Sequence, residues 1–130
     1  MNEASTYAMW VQPWFAPPAE LFGPVWGVLY LLIAVSYTIA ITKAFRGEYS
    51  RGILVPLIIN LIANAAFTPI QFGLGILWLA SLDILIVLVT VIWSMILLRR
   101  ERWFVFMQVP YLLWVSFATV LQFSITYLNW

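Results

Sequence analysis

The sequence contains no cysteine and no histidine, and only 8% of its residues are charged. Without cysteine there is no disulfide, no thiol nucleophile and no thiolate metal site. Without histidine the commonest general base, metal ligand and haem ligand is gone. A soluble domain normally carries about 25% charged residues. The six Lys/Arg and five Asp/Glu present here cannot cover a water-facing surface. A net charge of +1 offers little to a phosphate backbone, so nucleic acid is excluded as a partner.

What is abundant is apolar. Hydrophobic residues make up 65% of the 130, where about 45–50% is usual. This excludes soluble, disordered and fibrous classes and leaves a single integral membrane domain, residues 1–130. Crossing a hydrocarbon core of about 30 Å takes roughly 20 apolar residues in a helix. Four runs qualify, at about 22–42, 53–70, 74–98 and 104–128, which predicts an all-α, four-helix transmembrane bundle. Barrel strands are about 10 residues long and alternate in polarity; these runs do neither. Residues 43–52 and 99–102 form polar loops, and 71–73 (QFG) a tight turn, with Gly73 and Gly75 available for unusual backbone angles. Pro13, Pro17 and Pro18 argue against a helix in residues 1–21, which are expected to lie at the interface. That segment has neither the basic start nor the continuous apolar run of a cleavable signal peptide.

With four spans, Lys43, Arg46, Arg51, Arg99, Arg100 and Arg102 all fall on one face of the membrane. The positive-inside rule makes that face cytoplasmic, placing both termini outside (N-out/C-out) in a multi-pass protein of the cell inner (cytoplasmic) membrane.

Asp83 is the one ionisable residue deep in a span, where a carboxylate costs about 2.5–3.5 kcal/mol. Two readings stand: ligand or proton handling, or a hydrogen-bond knot between helices, with Asn or Ser as partners because no cation lies at that depth. Asn60, Asn64, Phe67 and Gln71 share one helix face and must look into the bundle, either as glue or as a pocket wall. Trp26, Tyr30, Ile33 and Tyr37 form an aromatic stripe on the first helix; Tyr111, Trp114, Ala118 and Gln122 form one on the last. Such stripes serve as core, as interfacial belt, or as walls for a flat apolar ligand. Gly23 and Gly27 form a short G-x-x-x-G pair suited to close local packing. No catalytic residue, metal site or resident cofactor is expected, and so no enzyme: Ser36, Ser81, Ser116 and Ser124 have no histidine to activate them, and no phosphate loop is present.

Longer motifs carry a resemblance. PPAELFGPVWGVLY (17–30), NAAFTPIQFG (64–73), Asp83 ten residues later, and VPYLLWVSFATVLQF (109–123) occur in the order found in the translocator protein family, the tryptophan-rich sensory proteins (TspO/MBR, peripheral benzodiazepine receptor relatives). The resemblance implies a small bundle that binds tetrapyrroles such as protoporphyrin, with sterols and synthetic aromatics. By position it implies a ligand site of Trp26, Tyr30, Asn64, Phe67, Trp114 and Ala118, with Asn60 and Asp83 as supporting polar residues. Light-dependent porphyrin degradation, ascribed to some bacterial members, is not carried over.

The sequence also departs from the family. Only eleven residues precede QPWFAPP, too few for the family's usual first helix, so a homodimer or partner subunit is expected to supply that wall. Glu20 stands where the family often has Trp, which disfavours anionic propionates, and Gln12 replaces a family Lys. Phe123, with no basic residue after it, breaks the sterol motif. The leading expectation is therefore a membrane sensor for a flat hydrophobic ligand. The rival is a small proton-coupled transporter or exporter working through Asp83, and a third possibility is a regulatory subunit.

Overall fold

The computed structural model describes residues 10–17 and 22–129; Pro18, Glu20 and residues 1–9 lie outside the described residues. Helices run over Phe22–Phe45 (α1), Leu54–Thr68 (α2), Leu77–Leu97 (α3) and Arg102–Asn129 (α4), and no strand occurs among the described residues. In hydrocarbon every backbone N–H and C=O must be satisfied within the segment, so apolar runs of this length become helices. The four helical stretches Gly23–Phe45, Arg51–Gln71, Leu77–Leu97 and Arg102–Asn129 are long and apolar enough to cross a membrane.

Several boundaries depart from the sequence expectation. Helix α1 continues three residues beyond 42, to Phe45. Gly47 (φ 81°) then turns the chain so that the amides of Glu48 and Tyr49 reach back to the Lys43 carbonyl, at 2.9 and 3.3 Å. The Lys43 ammonium stays at the interface, over the rings of Tyr49 and Trp103 at 5.4 and 6.0 Å. The tight QFG turn is not formed. Pro69 has no N–H to continue the α ladder, and Pro69–Leu74 winds instead as a π-helical turn. With the 3₁₀ turn Arg51–Ile53, this turn extends the short α2 to a membrane-crossing length. Of the two glycines set aside for unusual backbone angles, Gly75 (φ 67°) adopts one and Gly73 does not. Gly23 and Gly27 make no close approach, since a Cβ on either would meet nothing within 4 Å.

Helix α3 packs against both α2 and α4; α1 rests mainly on α4 and touches α2 sparingly. The order around the bundle is therefore α1, α4, α3, α2. Residues 10–17 lie against the far end of α4. There the Asn129 amide accepts from the Val11 N–H at 2.9 Å and donates to its carbonyl at 2.8 Å, and Phe15 meets Phe117 edge-on.

Candidate ligand site

Helix α2 sets the site, because its polar face is the one that cannot look at lipid. Asn60 is fully buried. Its amide nitrogen donates to the Val87 carbonyl at 3.1 Å and to the Thr90 hydroxyl at 3.0 Å. A backbone carbonyl only accepts, so this contact fixes which way the amide points. The Asn60 oxygen then faces the opposite side, where it accepts from Tyr37 at 3.0 Å, Tyr111 at 3.1 Å and the Asn64 amide at 3.0 Å. Asn64 spends its second N–H on the Tyr111 hydroxyl, whose own proton is committed to Asn60. One buried amide thus ties all four helices together. The Asn64 oxygen is left turned away from the knot, with no hydrogen bond among the described residues.

Asp83 is not part of this knot, contrary to the expectation of Asn or Ser partners. It is 8% exposed, and its Oδ2 has no hydrogen-bond partner among the described residues. The reason lies in helix geometry. Asn60 uses Val87 and Thr90, and Asp83 sits one turn beyond Val87, about 6 Å along the axis at 1.5 Å per residue. Asn64 sits one turn beyond Asn60 on α2, which runs the other way. The two therefore share a level.

The aromatic wall joins α1 to α4. Trp26 and Trp114, from α1 and α4, meet edge-to-face with ring centroids 6.4 Å apart, and Trp26 lies beside Tyr30 at 5.5 Å. Phe67 and Ala118 are partly buried against the same core as these two tryptophans. Tyr30 is half exposed. Ile33 and Tyr37, on the same stripe of α1, are core residues. The Trp26 and Trp114 rings fill the ground between α1 and α4. Beside them an apolar cleft of about 550 Å³ opens between α1 and α4, lined by Pro24, Val25, Val28, Leu29, Pro110, Leu113 and Trp114. Of the six expected ligand residues, only Trp114 borders it.

Gln71 and Gln122 close the far side. Their amides exchange hydrogen bonds at 2.6 and 2.9 Å and bind the π-helical turn to α4. The sequence places both on inward faces without pairing them. Thr90 and the Ser36–Gln108 bond of 2.8 Å are additions from the structure. A signal for Thr90 exists: Asp83, Val87, Thr90 and Ser94 recur at helical spacing and form a buried stripe on α3.

The TspO/MBR family model matches residues 1–128. The chain belongs to the TspO/MBR family. It is 34% identical to the membrane protein YtaB of Bacillus subtilis and 34% identical to the tryptophan-rich protein TspO of Bacillus cereus, the match in each case covering 91% of this chain and 76% of the relative. The human translocator protein is 32% identical over 92% of this chain and 72% of its own length. Membership makes this TspO/MBR protein one of a series found from bacteria to human, and its four apolar helices fit a bilayer.

Proposed function

We propose that this TspO/MBR protein is a membrane sensor that binds a flat hydrophobic ligand, a tetrapyrrole such as protoporphyrin, where Trp26 meets Trp114. The site comprises Trp26, Tyr30, Asn64, Phe67, Trp114 and Ala118, with Asn60 holding the wall in place. The observation that carries this reading is the Trp26–Trp114 contact itself: two large rings from separate helices, beside an open apolar cleft. Entry requires the rings to part. An aromatic pair is worth about 0.5–1.5 kcal/mol beyond its buried area, a small cost against burying both faces of a macrocycle. The basic face, with Lys43, Arg46, Arg51, Arg99, Arg100 and Arg102, is cytoplasmic in this reading, and the membrane is the inner membrane. A second copy, or a partner subunit, covers the sparsely contacted α1–α2 side.

Titrating purified protein with protoporphyrin should give saturable quenching of tryptophan emission. Trp26→Phe combined with Trp114→Phe should weaken binding by about tenfold, the loss of roughly 1.4 kcal/mol. Unchanged affinity in the double variant removes this site.

A second reading, proton-coupled export, is favoured by the buried Asp83 carboxyl. The names of relatives include both a tryptophan-rich sensory protein and a translocator protein. Flux from reconstituted vesicles that disappears in Asp83→Asn supports export; saturable binding without flux supports the sensor.

A further inference from the structure

We infer that the α1–α4 cleft is a side entrance from the bilayer. A flat hydrophobic ligand dissolved among the lipid tails reaches the Trp26–Trp114 contact through it, and not from water at either end of the bundle. The inference rests on the ligand-binding reading above and adds the route by which the site fills.

The cleft opens where the helices meet hydrocarbon. Val28 and Leu113 line it from α1 and α4 and are 61% and 66% exposed. They belong to the membrane-crossing stretches Gly23–Phe45 and Arg102–Asn129. Val28 lies five residues inside its stretch and Leu113 eleven inside its own, about 8 and 17 Å at 1.5 Å per residue. Side chains exposed at such depth face lipid tails.

The approaches along the bundle axis are filled. Toward residues 10–17 a row of rings runs Phe15–Phe117–Trp114–Trp26, with successive centroids 6.1, 5.7 and 6.4 Å apart. The Asn129 amide clasps that segment through the Val11 backbone. Toward the basic end the Gln108 amide donates to the Ser36 hydroxyl at 2.8 Å, and Tyr37 stacks on Phe104 at 6.3 Å. All four of these residues are buried. Trp114 alone belongs both to the ring contact and to the cleft lining, so parting the rings opens the site sideways.

The lining chemistry suits a passage better than a seat. Apart from the Trp114 indole, every lining side chain is a Pro, Val or Leu. Lipid tails are as apolar as these, so a hydrocarbon gains no hydrophobic energy by leaving the bilayer for the cleft. A planar aromatic gains only at the inner end, where the tryptophan faces are. It also keeps its apolar faces out of water throughout.

The chain has no native cysteine, so a single one can be placed at the entrance. Leu113→Cys reacted with N-cyclohexylmaleimide plugs the cleft. Ile62→Cys, at a site 65% exposed on α2, carries the same group away from it. The full chain is reconstituted in phosphatidylcholine vesicles, and uptake of added protoporphyrin is followed by quenching of tryptophan emission. Labelled Leu113→Cys should take it up about tenfold or more slowly than the same variant unlabelled, and labelled Ile62→Cys at an unchanged rate. Protein loaded first and labelled afterwards should release protoporphyrin to excess empty vesicles more slowly, because a plugged passage traps what is inside.

Uptake by labelled Leu113→Cys at the unlabelled rate overturns the inference and leaves the pocket standing. Equal slowing by the label on Ile62→Cys overturns it too, since bulk anywhere on the lipid face would then suffice. Faster release after labelling does the same, by making the cleft part of the seat. Absence of saturable quenching in the unmodified chain overturns both this route and the ligand-binding reading. Should Leu113→Cys not fold, Val28→Cys on the opposite wall is judged by the same criteria.

Discussion

At the level of Asn60 every side-chain donor has found an acceptor, whereas one helical turn outward Asp83 Oδ2 and Asn64 Oδ1 have no hydrogen-bond donor among the described residues. Both layers lie in the same bundle and are built from the same kinds of residue. The inner layer has its polar groups on four helices aimed at one amide, and it behaves as structure. In the outer layer no such convergence occurs among the described residues. Polarity inside a membrane protein is thus not by itself a mark of function; leftover polarity is the better one. A satisfied network holds helices in register, while an unsatisfied acceptor is available to a guest.

The largest effect should come from the inner layer. Asn60→Leu removes the acceptor for Tyr37, Tyr111 and Asn64 at once. Single hydrogen bonds between membrane helices average about 0.6 kcal/mol and reach about 1.7. The combined loss should be about 2–4 kcal/mol, measured as reduced resistance to denaturation in mixed micelles. A loss below about 1 kcal/mol would mean that the knot holds nothing and that the contrast between layers is empty.

Asp83→Leu should move stability in the other direction or leave it unchanged. With no hydrogen bond to lose among the described residues, the substitution removes a carboxyl whose cost at a helix centre is about 2.5–3.5 kcal/mol in its charged form, so a gain of up to about 2 kcal/mol is expected. The same unfolding measurement checks it. Destabilisation comparable to that of Asn60→Leu would place Asp83 in the structural layer.

This division is half legible in the sequence. The four spans can be read because a hydrocarbon core demands some twenty apolar residues and tolerates few charges. The inward face of α2 can be read because Asn60, Asn64 and Gln71 cannot face lipid. Its partners cannot. Tyr37 and Tyr111 sit in aromatic stripes and read as ring surface, yet their hydroxyls complete the knot. Which hydroxyl meets which amide depends on the axial register of separate helices, and no local spacing encodes that. Asp83 is conspicuous as the sole deep carboxylate, which invites a search for Asn or Ser partners that its register places one turn out of reach. The π-helical turn at Pro69–Leu74 escapes because proline announces a break in the α ladder without specifying the winding that replaces it.

The smallest effect sharpens where the outer layer ends. Gln71 and Gln122 exchange hydrogen bonds, and the Gln122 amide also reaches the Leu77 carbonyl and the Thr126 hydroxyl, each at 3.3 Å. The unsatisfied layer is therefore held between two satisfied ones, the Asn60 knot on one side and this amide pair on the other. If the pair acts as a unit, Gln71→Leu and Gln122→Leu should each destabilise modestly, and the double variant should be less destabilised than the sum of the two. The coupling should be about 1 kcal/mol, since reciprocal amide bonds in a membrane interior fall near the upper end of single-bond values. The pair spans the π-helical turn and α4, so loosening it should raise the rate at which protoporphyrin enters and leaves. Losses that simply add in the double variant would mean that the two amides act separately and that the amide pair is not a satisfied layer of its own.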